Sequence, residues 1–398
     1  MKQRERIAVL FGGRSVEHEI SIITSLQLLK AMDTTRYEPV PVYIAPSGRW
    51  YTDVKLFNRD NYPIANFEEL TEVTVLPTPD IGGLTVLEPK RSWSLRGPKK
   101  GSVIPIDVFL LGFHGEFGED GCIQGLLELA GATYTGNDVL GSSVAMNKYV
   151  CKVFLEAHGI SVLPSMVIRK SEAQKDIRSI SSRIFSTKGI EKYPVFIKPN
   201  HLGSSVGIAK ANNDDELVSA LATVFKYDFE ALVEPFLSEM FEVNVSVMDG
   251  DPLRASAVEI PVSDSGVLSY EEKYMRGGKK KAGPSSSDGM ASLTRVINPK
   301  DLSVEIKQQV IESATKAFDL LYCSGVGRFD FMVDKATGEV YFNELNPMPG
   351  SFSFYLWIES EPSVLYTEEV TRMIKQAKSR RAMKASLDKN FGFKALRG

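Results

Sequence analysis

Residues 328–350, RFDFMVDKATGEVYFNELNPMPG, constrain the fold more than any other stretch. They read as two strands around the turn DKATGE. Strand side chains alternate faces, so Arg328, Asp330 and Met332 share one face, and Phe342, Glu344 and Asn346 share one face of the return strand. The favoured register sets Asp330 nearly opposite Glu344. Two carboxylates about 4 Å apart repel by roughly 4 kcal/mol at an effective dielectric near 20. Arg328 could relieve one of them, and solvent could weaken the repulsion. A divalent cation is the other solution. Two carboxylates and an amide oxygen make a hard, all-oxygen set suited to Mg²⁺ or Mn²⁺, which usually also take phosphate oxygens. The hairpin therefore points to a nucleotide.

The rest of the chain sets the frame. Its 398 residues suggest two or three domains with ample core. A net charge of −3 gives no general attraction to nucleic acid or to an anionic membrane, so local groups must hold any anion. Cys122, Cys151 and Cys323 are scattered, which argues for a reducing compartment and against a disulfide framework. No apolar run approaches a membrane span, and IAVLF is too short for a signal-peptide core. The cytoplasm is the expected location.

IAVLF at 7–11 is a continuous apolar run, as in a strand covered on both faces. Gly12-Gly13 ends it, a helical pattern follows to about Leu29, and VPVYI at 40–44 completes a βαβ unit. IDVFLLGF at 106–113 is another buried strand, followed by the helical CIQGLLELA. An open, mostly parallel α/β sheet ending near residue 138 is expected, with the Pro- and Gly-rich segment 60–104 as an insertion. A second unit holds a helix within AMNKYVCKVFLEAHG, the strand YPVFIKP, a glycine-rich turn and EALVEPFL. In the third, FEVNVSVMDG alternates and returns through LRASAVEI. A helix is expected to start at Asn298-Pro299. The basic tail from Lys375 reads as a solvated helix end rather than a nucleic-acid patch.

The phosphate site is sought next. GNDVLGSS at 136–143 has the glycine spacing of a Walker loop but lacks its lysine. No G-x-G-x-x-G follows the first strand, which counts against a dinucleotide-binding dehydrogenase. Lys198 instead ends a buried strand and precedes Gly203-Ser204-Ser205-Val206-Gly207, whose backbone N–H groups can close over phosphates. Lys198 and Lys148 offer point charges. Glu242 lies on the polar face of its strand and could accept ribose hydroxyls. Glu234, Phe236 and Leu237 could read an adenine edge.

Taken together, these segments resemble a known family. GGRSVEHEIS, HGEFGEDG, IKPNHLGSSVG, YEEKY, GRFD and NELNPMPG stand in the order found in the D-alanine–D-alanine ligases, members of the ATP-grasp superfamily. The match spans roughly residues 6–360. The resemblance implies an N-terminal α/β domain over 1–138, a central ATP-grasp lobe over 139–237 and a C-terminal lobe over 238–398. It implies ATP-dependent joining of two D-alanines through an acyl phosphate, with Asp330, Glu344 and Asn346 holding two Mg²⁺ or Mn²⁺ ions. Lys148, Lys198, Gly203 and Ser205 would meet the phosphates; Glu234, Phe236, Leu237 and Glu242 would surround adenine and ribose. Glu17 would hold the ammonium of the first D-alanine, with His114 nearby. Ser204, Lys273 and Tyr274 would close over the site. Arg328 and the Gly350 N–H would stabilise the developing oxyanion. A homodimer is also implied.

The sequence departs from the family pattern after NELNPMPG. Tyr355 takes the usual serine position at the second substrate, Phe354 precedes it, and Pro347 follows the asparagine. Lysines at 279–281 are an insertion in the capping loop. These changes leave room for an alternative: a ligase of the same family with another amino acid or hydroxy acid as second substrate. A non-catalytic nucleotide-binding protein would have lost metal ligands or Arg328, and the chain keeps them.

Overall fold

The computed structural model describes residues 4–90, 97–173, 178–203, 206–262 and 295–388. Ser204, Ser205, Lys273, Tyr274 and the 279–281 insertion lie outside the described residues.

The first sheet contains β1 (Glu5–Gly12), β2 (Tyr37–Ile44), β3 (Trp50–Thr52), β4 (Thr71–Thr74), β5 (Gly83–Glu88), β6 (Val103–Pro105) and β7 (Val108–Leu111). Their order is β6-β5-β4-β3-β2-β1-β7. Only β2-β1-β7 is parallel; the other pairings are antiparallel. The segment expected as an insertion thus extends the same sheet. The physical difference is visible in burial. Every residue of β7 is buried, whereas β4 alternates buried and half-buried residues, as a strand with one covered face does.

The second sheet contains β8 (Met166–Arg169), β9 (Val195–Pro199), β10 (Ala209–Ala211) and β11 (Glu230–Pro235) in the order β10-β9-β11-β8, all antiparallel. The third contains β12 (Met240–Met248), β13 (Arg254–Pro261), β14 (Arg295–Ile297), β15 (Val326–Asp334) and β16 (Val340–Asn346) in the order β14-β13-β12-β15-β16. Val243, Val245 and Val247 of β12 enter its core, as their alternation predicts.

Two helix boundaries differ from expectation. Residues 145–159 are not one helix: Val139–Met146 and Lys148–Ala157 meet at extended Asn147, whose side chain accepts the Val150 N–H at 2.9 Å. The helix expected from Asn298 is Val304–Leu320. Asn298 has φ 48°, outside the right-handed helical region, and the Ser303 hydroxyl caps the Ile306 N–H at 3.2 Å.

The basic tail is a helix end, as expected, and is tied down by ion pairs. The helix Tyr366–Ala385 lies on the first sheet, with Lys378 on Glu5, Lys384 on Glu128, and Arg380 donating to the Tyr134 carbonyl at 2.8 Å. Its Val370, Met373 and Ile374 join a core shared by the first sheet and by Met248 and Val326 of the third. The second sheet has a separate core with the helix Asp214–Val224. No helix among the described residues is long and apolar enough to cross a membrane.

Candidate active site

A first cavity lies between the second and third sheets. Lys198 supplies one wall from the end of β9. Its Cα partner on β11 is Leu232, which puts Glu234 on the same face two residues along. The Lys198 Nζ lies 2.8 Å from Glu234 Oε2 and donates to Asn343 Oδ1 at 2.8 Å. The other Glu234 oxygen takes the ammonium of Lys152, which is wholly buried. Burial pushes the Glu234 carboxyl up, but the two lysines outweigh it and hold it below the ordinary carboxylate value. Burial pulls the Lys152 ammonium down to about 8, with Glu234 opposing. Phe236, Leu237, Glu242 and Gly203 complete the described part of the expected nucleotide set, and all line this cavity.

The acidic hairpin closes its floor. Asp330 is the Cα partner of Glu344, as expected, but a register shift just after Asp330 pairs Phe342 with Phe331, so Phe342 enters the core and does not share the face of Glu344. Arg328 grips Asp330 with two bonds of 2.7 Å, and Asn346 Nδ2 donates to Asp330 at 3.0 Å. Lys148 lies 3.3 Å from Glu344. Each carboxylate therefore has a cationic neighbour within the chain. No group of three or more His, Cys, Asp or Glu side chains suited to a metal exists among the described residues. The donor set is two carboxylates and one amide on adjacent strands. It fits a hard divalent ion that brings phosphate oxygens and water as its remaining ligands.

A second cavity adjoins the first. Glu17, His114, Arg328, Asn346 and Gly350 line it. Lys148, Gly203 and Glu344 line both. Glu17 stands at the start of the helix His18–Ala31 and is buried. Gly203 packs so closely that a Cβ there would sit 3.3 Å from the Glu17 carboxylate. Gly115 has φ +77°, and a Cβ on it would meet Ser15 Oγ at 2.2 Å, so this turn requires glycine. The Gly115 N–H donates to Glu119 at 2.6 Å. Burial, with Glu17 beside it, raises the Glu119 carboxyl well above its usual value.

His114 has hydrogen-bond partners on two elements. Its Nε2 lies 2.8 Å from Thr24 Oγ1, which also accepts the Ser351 N–H at 3.2 Å. The Met348 backbone is a further hydrogen-bond partner of the ring. Burial, helped by Arg328, pulls the imidazole down to about 4. Unfolded His114 takes a proton near pH 6.5 and folded His114 does not, so this contribution is present above pH 6.5 and lost as pH falls toward 4. We expect roughly 3 kcal/mol less stability at the acid end from this group. Urea midpoints of the wild type will drop between pH 7 and pH 4.5 by more than those of His114→Gln. Parallel drops would show that His114 does not titrate in this way.

Comparisons with known proteins address this arrangement. Residues 6–137 match the profile described as D-ala D-ala ligase N-terminus, and 154–375 match D-ala D-ala ligase C-terminus. The D-alanine–D-alanine ligase A of Bradyrhizobium diazoefficiens is 36% identical, covering 98% of this chain and 100% of its own. The chain belongs to the D-alanine–D-alanine ligase family. The D-alanine–D-alanine ligase of Natranaerobius thermophilus is 33% identical, covering 95% of this chain and 96% of its own. Among solved structures, the VanG D-Ala:D-Ser ligase from Enterococcus faecalis matches with TM-score 0.74 and 26% identity, covering 94% of this chain and 100% of that one. The Coxiella burnetii D-alanine–D-alanine ligase shares the fold, with TM-score 0.76 and 24% identity over 96% of each chain. As a family member the chain is a ligase, and the family implies ATP and a divalent metal ion.

Against this family's pattern, Tyr355 is the exception. Among the described residues that the sequence placed at the site, it alone lines neither cavity. Its hydroxyl donates to Glu259 at 3.1 Å, and the Arg295 guanidinium lies 3.9 Å from its ring centre. A buried phenol needs an acceptor, and Glu259 supplies one within the fold. The site also holds residues that the sequence reading missed: Lys152, Glu119, Thr24 and Asn343. Lys152 had a signal, since it follows Lys148 by four residues on one helix face.

Proposed function

We propose that this chain joins two D-alanines into D-alanyl-D-alanine, using ATP, for peptidoglycan synthesis. One observation carries the reading. Every described residue of the expected nucleotide set lines the first cavity, the expected donor residues line the second, and Lys148, Gly203 and Glu344 line both. A γ-phosphate reaching that shared wall lies within reach of a carboxylate bound next door.

In this reading Lys198 and Lys148 hold the phosphates of ATP, and Glu17 holds the ammonium of the first D-alanine. Its carboxylate oxygen attacks the γ-phosphorus, ADP leaves, and D-alanyl phosphate forms. The amino group of the second D-alanine attacks the acyl carbon, and phosphate leaves with the bonding pair. Arg328 and the Gly350 N–H meet the charge that develops on the acyl oxygen. Asp330, Glu344 and Asn346 would hold two Mg²⁺ or Mn²⁺ ions, which neutralise phosphate charge when bound. Ser205 belongs with the phosphate contacts, Ser204, Lys273 and Tyr274 belong to the closure of the site, and Tyr355 supports the acceptor side through Glu259. A homodimer in the cytoplasm completes the reading.

Mass spectrometry of the products from ATP, Mg²⁺ and D-alanine tests it, with phosphate release followed in parallel. A D-alanyl-D-alanine peak with equimolar phosphate is the expected result. Phosphate release that needs another amino or hydroxy acid as acceptor would overturn the second substrate and keep the first.

A further inference from the structure

Lys152 presents a problem that the proposed reaction does not use. It is fully withdrawn from solvent and lines neither cavity. It lies behind Glu234, with its ammonium on Oε1, while Lys198 holds Oε2 at 2.8 Å from the cavity side. Two lysines and one carboxylate leave one positive charge over. A single lysine with Glu234 would form a neutral pair, and two lysines without Glu234 would repel.

The surplus charge has a defined place. Lys198 has three N–H donors; Glu234 takes one and Asn343 another, at 2.8 Å. The third is left for a ligand in the cavity that Lys198 lines. Two of the other carboxylates on that wall are already held, Asp330 by Arg328 and Glu344 by Lys148. Glu242 also lines the cavity, on β12.

We infer that Lys152 is a positioning residue that sets the charge of the nucleotide cavity: by neutralising Glu234 from behind, it keeps the Lys198 charge free for the phosphates of ATP. This rests on the reading of that cavity as an ATP site. Lys152 itself touches no ligand; it acts only through Glu234.

The test is calorimetric binding of ATP with Mg²⁺, and of adenosine, to the full-length protein without D-alanine. Adenosine has no phosphates, so it reports the base and sugar contacts and the integrity of the cavity. In Lys152→Met, ATP affinity should fall about 30-fold and adenosine affinity less than about 3-fold. In a Glu234→Gln background the same substitution should change the ATP-to-adenosine ratio less than about 3-fold, because Lys152 without a partner gives up its proton in that buried setting. In this second comparison both proteins carry the same Glu234→Gln change and keep the Lys198–Asn343 bond, so a change well above 3-fold there overturns the inference even if Lys152→Met alone does not fold. Equal loss of ATP affinity in both backgrounds would overturn the inference, since Lys152 would then act without Glu234. Equal weakening of ATP and adenosine by Lys152→Met would also overturn it and leave a packing role. A wild-type protein that binds neither compound would overturn the ATP reading itself.

Discussion

Glu344→Gln will lower kcat by at least about 1000-fold while the protein remains folded. The expectation follows from where the carboxylate stands. It faces its counterpart Asp330 across the hairpin and lines both cavities. Glutamine keeps the shape and one oxygen but removes the charge that a divalent ion needs. The fold loses little, because Lys148 also donates to the Leu202 carbonyl. Steady-state phosphate release, thermal melting and a Mg²⁺ titration together check this. Full turnover in Glu344→Gln would remove the metal assignment. Asp330→Asn will also stop turnover, but with a clear loss of stability, because Arg328 then faces a neutral amide.

The second large effect concerns that ion pair. Arg328 and Asp330 are both buried, with two bonds of 2.7 Å between them. Arg328→Met will destabilise the protein by about 3–5 kcal/mol, because it removes the buried cation that holds Asp330 by two bonds opposite Glu344. Equilibrium urea unfolding measures this. Adding Asp330→Asn to Arg328→Met will return part of the stability and none of the activity. An unfolding curve like that of the wild type would mean that another cation or water takes over from Arg328.

Much of this was legible in the residues, for reasons of periodicity. The pairing of Asp330 with Glu344 was legible, but strict alternation was not the whole pattern: a register shift just after Asp330 pairs Phe342 with Phe331 in the core instead of leaving it on the face of Glu344. The strands β1, β2 and β7 were legible because strands covered on both faces are continuous apolar runs. The antiparallel extension β3 to β6 was not. These strands have three to six residues each, and half-buried positions blur their pattern. Lys152 was missed because a lysine in a helix is ordinarily solvated, and its partner Glu234 lies far along the chain. The cationic tail is a helix end with exposed lysines, as read, but its ion pairs were not legible, because the carboxylates Glu5 and Glu128 lie far back along the chain. Tyr355 shows another limit. Where its hydroxyl points depends on Glu259, which no local pattern connects to it.

The helix Tyr366–Ala385 has a mechanical consequence. Because it shares one apolar core with the first sheet and with Met248 and Val326, those parts of the molecule turn as one body. The second sheet keeps its own core and meets the rest of the nucleotide cavity through polar links: Lys152 to Glu234, Lys198 to Asn343, and Lys148 to the Leu202 carbonyl. The molecule is a vice with one fixed jaw. A swing of the smaller jaw would separate ions and hydrogen bonds and leave each apolar interior whole.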